Sequence, residues 1–166
     1  LASLALLGVV VLLALQTSNS SNVDNLSTYA HIYEDTPAGT VITLTTNGTF
    51  YQWVSSTVGE YRNMTPSAAS DNVTALTSGI YYIESDVSWL GGASANYHWT
   101  LFHNGAEMAS MECETAVGAT PLTQNAGWSG IMAASAGDTL DLRVTASVDT
   151  KTATVYHVHF TVLRVF

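Results

Sequence analysis

Two kinds of residue are nearly missing from this sequence. Its 166 residues include one cysteine, Cys113, and only four basic side chains, Arg62, Arg143, Lys151 and Arg164. A lone thiol makes an intrachain disulfide impossible and leaves no cysteine-based zinc cage. Cys113, standing between Glu112 and Glu114, reads as a small inert residue. Nucleic-acid affinity rests on clustered Lys and Arg that neutralise phosphates. Here the four are scattered and the net charge is −9, which excludes nucleic acid as a partner. The acidic balance also disfavours adsorption to anionic lipid headgroups. Charged residues reach only 10%, against about 25% in an ordinary domain.

What fills the sequence instead is apolar and aromatic. Hydrophobic residues make up 47%, with four Trp, eight Tyr and four Phe, enough material for a packed core and unlike a disordered chain. The length suits one domain plus a tail.

The tail comes first. Residues 1–15 read LASLALLGVVVLLAL, without charge or proline. Fifteen residues of helix rise about 22 Å, whereas a bilayer core of about 30 Å takes roughly 20 residues. The run lacks the basic start of a signal peptide, and because it opens on Leu1 rather than Met, processing or a missing start is expected. An extended, donated strand is a further option for Val9, Val10 and Val11. The favoured expectation is a short hydrophobic helix over 1–16, serving as a membrane anchor or bundling with its own copies. Leu4, Leu7, Val11 and Leu15 are its anchoring or assembly residues. It is apolar all round and must be buried in something other than its own small domain. Residues 17–28 have the composition of a flexible polar linker, and the globular part is expected over 29–166.

From Tyr29 onward the sequence alternates with a period of two, broken by Gly, Asn, Asp, Pro and Ser. The expected strands are Tyr29–Glu34, Thr40–Thr45, Thr49–Val54, Gly79–Leu90, Asn96–His103, Ala106–Met111, Gly127–Ala134, Thr139–Ser147 and Ala153–Val165. In Thr139–Ser147, Leu140, Leu142, Val144 and Ala146 share a face; in the last strand Tyr156, Val158, Phe160 and Val162 do, opposite His157, His159 and Thr161. Asn104-Gly105 and Asn47-Gly48 carry the residue pair of a tight hairpin, whose two central positions need φ > 0. The fold class expected is all-β, an antiparallel jelly-roll sandwich of about 8–10 strands.

Four segments follow one another in an informative order: Gly79-Ile80-Tyr81-Tyr82-Ile83, Trp99 to Gly105, Ala136-Gly137-Asp138-Thr139-Leu140-Asp141-Leu142, and Phe160-Thr161-Val162-Leu163. Together, over about residues 40–165, they resemble the tumour necrosis factor-like superfamily and the globular heads of complement-type proteins. The resemblance implies a ten-strand jelly roll that forms compact trimers through aromatic and aliphatic faces, with no shared catalytic site. Similar domains occur on secreted proteins, spore surfaces and the structural proteins of viruses and phages. Unlike the animal members, this chain has an apolar N-terminus and no collagen-like stalk.

Few constellations offer chemistry. Gly127-Trp128-Ser129-Gly130 misses the nucleophile-elbow pattern, and no helix follows it. Asp71, Glu84 and Asp86 do not make a clustered calcium loop. His157 and His159, at i and i+2, project from one strand face. With His98 on a neighbouring strand, three imidazoles would meet in a weak metal or pH-sensitive site; the bland alternative is a wet or interface-lining face. Tyr82, Trp89, Trp99, Tyr156 and Phe160 are candidate subunit-interface residues. Five N-x-Ser/Thr sequons, at Asn19, Asn25, Asn47, Asn63 and Asn72, are candidate glycosylation sites if the host glycosylates. No catalytic residue, resident metal or cofactor is expected. The function expected is that of a structural surface protein of a virion or the cell exterior, a homo-oligomer anchored by its N-terminus among capsid subunits. A processed pilin-like filament subunit and a receptor- or carbohydrate-binding module are the alternatives.

Overall fold

The computed structural model describes residues 28–166; the hydrophobic segment and nearly all of the linker lie outside them. Among the described residues there is no helix, only strands and the turns between them. The strands are β1 (Tyr29–Leu44), β2 (Tyr51–Gln52), β3 (Thr57–Arg62), β4 (Met64–Ser67), β5 (Asn72–Ala75), β6 (Gly79–Gly91), β7 (Ala95–His103), β8 (Ala106–Val117), β9 (Thr123–Ala134), β10 (Thr139–Ala146) and β11 (Lys151–Arg164). They form two antiparallel sheets. The first runs β3-β1-β11-β6-β9 and the second β4-β5-β10-β7-β8. One edge of β10 is shared: Thr139–Asp141 pair with β5, while Arg143 and Val144 pair with β2.

The alternation that suggests strands also builds the core. Leu140, Leu142, Val144 and Ala146 of β10 all point inward, as the sequence pattern implies. On β11 the inward set is Ala153, Val155, Val158, Phe160 and Val162. The step from 155 to 158 is three rather than two, because the register against β6 shifts between Val155 and His157. An extra residue of this kind resets the phase of a strand. Tyr156 is therefore only half-buried and does not share a face with Phe160. It lies beside Gly39 (φ +72°), where an added Cβ would meet both Thr154 and the Tyr156 ring.

Between the sheets, Trp53, Trp89, Trp99, Tyr81, Tyr97 and Phe160 are fully buried. The Trp89 ring sits 4.6 Å from Tyr97 and 5.8 Å from Trp99. This corrects the expectation for Trp89, Trp99 and Phe160: they are core residues of a single chain and have no surface to give a partner. One polar contact is buried with them. Glu34, 2% exposed, accepts a 2.6 Å hydrogen bond from the Trp53 indole N–H.

The turns divide into two kinds. Asn104 and Gly105 both have positive φ (51° and 76°) and join β7 to β8 in the expected hairpin. Asn47-Gly48 does not make a hairpin. The chain leaves β1 in the first sheet there and enters β2 on the second, with Gly48 N–H bonded to the Ala146 carbonyl. The turn before Thr139 likewise carries the chain from β9 across to β10. Three short strands, β3, β4 and β5, fall where the sequence shows no clear alternation.

Glu34→Ala is expected to strand the buried Trp53 N–H, at about 1–3 kcal/mol, while Glu34→Gln keeps an acceptor and costs less. Phe160→Ala is expected to cost about 3–5 kcal/mol as a core cavity. Urea unfolding of the three variants checks both.

Candidate functional site

The outward face of the first sheet is a grid fixed by strand register. Its first row is Tyr29, Leu163, Tyr82 and Ile131, contributed in turn by β1, β11, β6 and β9. The second row is His31, Thr161, Glu84 and Ser129. Tyr33, His159, Asp86 and Gly127 form the third, and Asp35, His157, Ser88 and Asn125 the fourth. Directly opposed residues in an antiparallel pair project from the same face, so the face grades from apolar to polar along the strands. Ile131 is 66% exposed at its apolar end.

The polar rows gather three histidines. His31 Nε2 lies 3.2 Å from His159 Nδ1, with the rings within 4° of parallel and their centroids 5.3 Å apart. Tyr33 stacks on His31 at 5.4 Å. His157 Nδ1 contacts Asp35 Oδ1 at 3.0 Å. These residues and Glu34 line a pocket of about 230 Å³. Partial burial holds the His31 imidazole below its ordinary pKa, and the neighbouring His159 adds to that effect.

His98 is elsewhere. It stands on β7 in the second sheet, its Nε2 2.8 Å from Glu112 Oε2 and its ring edge-on to Phe50 at 5.4 Å. The three candidate imidazoles therefore do not meet. The partner of His159 is His31, on a strand 128 residues away in sequence. The two-residue period of His31, Tyr33 and Asp35 marks their shared face, but nothing local announces which strand lies alongside.

Other candidates take ordinary places. Ser129 lies mid-strand opposite Glu84, not on a strand-to-helix turn. Glu84 and Asp86 belong to the first sheet and Asp71 to the loop between β4 and β5. Cys113 is half-buried against the core. Of the sequons, Asn47 is in an exposed turn, Asn63 has φ 54° between β3 and β4, and Asn72 opens β5. Asn19 and Asn25 fall outside the described residues. Trp53, Trp89 and Trp99 are fully buried, and the fourth tryptophan, Trp128, is packed half-buried on the core.

At one end of the sandwich, Asp138 ties two turns together. Its Oδ1 accepts from the Asn104 side-chain amide at 2.8 Å, and its Oδ2 meets Ser135 N–H and His103 Nε2, both at 2.7 Å. Asn104 Oδ1 in return accepts from Thr139 N–H at 2.9 Å. These bonds, led by that from Asn104, hold the Asp138 carboxyl at about 2.

No protein-family model matches the chain, and no curated protein matches it in sequence. Solved structures do match in fold. The chain is similar to Eiger, a tumour necrosis factor of S. frugiperda, at a TM-score of 0.63 and 11% identity, over 84% of this chain and 92% of that one. It is similar to murine APRIL at a TM-score of 0.58 and 11% identity, over 81% and 98%. The globular domain of zebrafish complement 1qA gives a TM-score of 0.58 at 8% identity, over 84% and 98%. At these identities the likeness is one of fold: the described residues form a sandwich of the tumour necrosis factor and complement-head type.

Two of the perturbed groups, His31 and Asp138, give separate pH windows below neutrality. Lowering of the His31 pKa means the unfolded chain takes up a proton that the folded chain resists. The stability it contributes is complete above pH 6.5, its ordinary value, and declines as the pH falls below that. His31→Asn should flatten the slope of unfolding midpoint against pH between neutrality and about pH 5. The Asp138 contribution is present above its ordinary 3.8 and lost as the pH falls through about 2. Asp138→Ala should lower the unfolding midpoint at neutral pH and flatten its fall below about pH 4, leaving the slope attributed to His31 unchanged.

Proposed function

We propose that this chain is a non-enzymatic structural surface protein, a trimer built on the outward face of its first sheet, which serves as a decoration, spike or minor capsid component of a virion. The row Tyr29, Leu163, Tyr82 and Ile131 carries the reading. It sets aromatic and aliphatic side chains side by side on a face that the chain's own core does not need, the composition of an interface centre.

The distribution of polar groups on the same face suits a head-to-tail contact better than a two-fold pair. The imidazoles stand on β1 and β11, while Glu84 and Asp86 stand on the neighbouring β6. A head-to-tail contact sets the imidazole N–H donors of one copy against the carboxylates of the next, and such heterologous contacts close into a ring where the rotation permits and run on as a helical polymer where it does not. The fold likeness to Eiger and to the complement head is in keeping with an exterior location. Residues 1–15 then supply the attachment, to lipid or to the capsid shell, through Leu4, Leu7, Val11 and Leu15.

The hydrophobic segment also favours a second reading, a filament subunit with its N-terminal segments bundled at the centre of a helical polymer. A sugar-binding module has less in its favour, since no tryptophan is left fully exposed to stack on a ring.

Sedimentation velocity should give three times the 17.6 kDa chain mass, and Ile131→Asp should return it to one. A monomeric parent would sink the trimer, and a trimeric Ile131→Asp variant would move the interface elsewhere. In the native assembly, the double change Leu7→Asp and Val11→Asp should abolish incorporation. Threefold knobs on a closed particle support the virion role; a helical rod transfers the chain to the filament class.

A further inference from the structure

On the opposite side of the sandwich, a register break brings three ligand-type side chains together. In the β7–β8 pair, Glu112 lies opposite Thr100 and Glu107 opposite Phe102. Two carboxylates five residues apart on β8 thus flank partners only two apart on β7, because Met108–Met111 are taken up in the bulge. His98 projects outward two residues before Thr100. The nitrogen of His98 and one carboxylate oxygen each from Glu107 and Glu112 all lie within 4.8 Å of one another.

We propose that His98, Glu107 and Glu112 form a binding site for a divalent transition-metal ion of the zinc type. The donor set of one imidazole and two carboxylates suits zinc. It is too nitrogen-containing and too small for calcium, which takes about 6–8 oxygens. With metal–ligand distances of about 2.0–2.2 Å, two ligands of one tetrahedral ion stand about 3.4 Å apart. His98 Nε2 and Glu112 Oε2, hydrogen-bonded at 2.8 Å, need only part slightly to admit an ion between them. Glu107 is exposed, and its flexible side chain is able to swing in as the third ligand, leaving a coordination position for water. The imidazole is not free to turn away, since Phe50 packs edge-on against it and is itself held by Phe102 at 5.1 Å.

Surrounding charge also favours a cation. Glu114 lies opposite His98 on β8, and Arg143, opposite Thr100 on β10, is engaged by both carboxylate oxygens of Asp141 and lies over the Phe102 ring. The His31–His159 pair is built differently. His31 and His159 point ring nitrogens at each other in nearly parallel planes, the geometry of one N–H···N bond rather than of two lone pairs aimed at a third point. A bound ion on the second sheet would bridge β7 to the bulged β8 and stabilise the folded chain by mass action.

Titrating the intact protein with zinc chloride in a calorimeter should give one ion per chain and a rise in unfolding midpoint, with neither effect from magnesium. His98→Ala and the surface change Glu107→Gln should each weaken binding by about tenfold or more. His159→Ala should leave it unchanged. With cobalt as the probe, a visible ligand-field band should appear in the parent and vanish in His98→Ala. Absence of heat and of any midpoint shift at millimolar zinc would overturn the site. So would binding that survives both His98→Ala and Glu107→Gln, or that is lost in His159→Ala.

Discussion

Everything displayed by this protein is constrained by the two-residue period of its central strands. In an extended chain, a side chain sent into the core commits its neighbours to the opposite face. On β11, the need for Val158, Phe160 and Val162 inside sets His157, His159 and Thr161 outside. On β1, Ala30, Ile32 and Glu34 inside set His31, Tyr33 and Asp35 outside. The histidine cluster is thus a consequence of core packing in two strands at once, brought together by their pairing. A one-residue slip of either strand would scatter the histidines and bury them together with charge.

Where that period is broken, the break has a local purpose. The shift in β1 between Asp35 and Thr40 and the shift in β11 between Val155 and His157 fall at the same level of the sheet. Below them, Val41 and Thr43 face outward between the buried Ile42 and Leu44; above them the aromatic and histidine rows begin. The paired irregularities let one long two-stranded ribbon keep a continuous apolar face while it bends with the sheet's twist. At the far end of the sandwich, a different device keeps register. Asp138 holds the β9–β10 turn against the β7–β8 hairpin through Asn104 and His103. Asn104-Gly105 and Gly137-Asp138, which stand 32 or more residues apart in the family-like pattern, are thus partners in one hydrogen-bonded cluster.

The sequence is legible where a strand is long and one-sided, and not where pairing decides. Gly79–Leu90, Asn96–His103 and Thr139–Ser147 agree with β6, β7 and β10 within a residue or so at each end. The short strands β3, β4 and β5 escape notice because four to six residues such as MTPS and NVTA carry no period of their own. They become strands by pairing, β3 along β1, β5 along β10 and β4 along β5. The phase of Tyr156 and the crossing at Asn47-Gly48 are hidden for a related reason: each depends on a partner strand distant in sequence. The same holds for the site. His157 and His159 announce a shared face, but the sheet that separates them from His98, and the neighbour His31, follow from topology alone.

The His31 and His98 neighbourhoods differ in what surrounds the imidazole. Beside His31, an added proton meets partial burial and a second imidazole, so the folded chain resists it. Beside His98 stand Glu112, Glu107 and Glu114, and the polar side chains face solvent at a bulged edge strand. Edge strands of this kind expose unpaired backbone groups and are commonly blunted by charge or bulges. Here β8 has both, and its carboxylates disfavour extension of the sheet by a second copy. The first sheet offers an apolar face for association while the second closes its edge with acid. Any assembly that joins copies through the outward face of the first sheet, and not edge to edge through β8, satisfies both constraints.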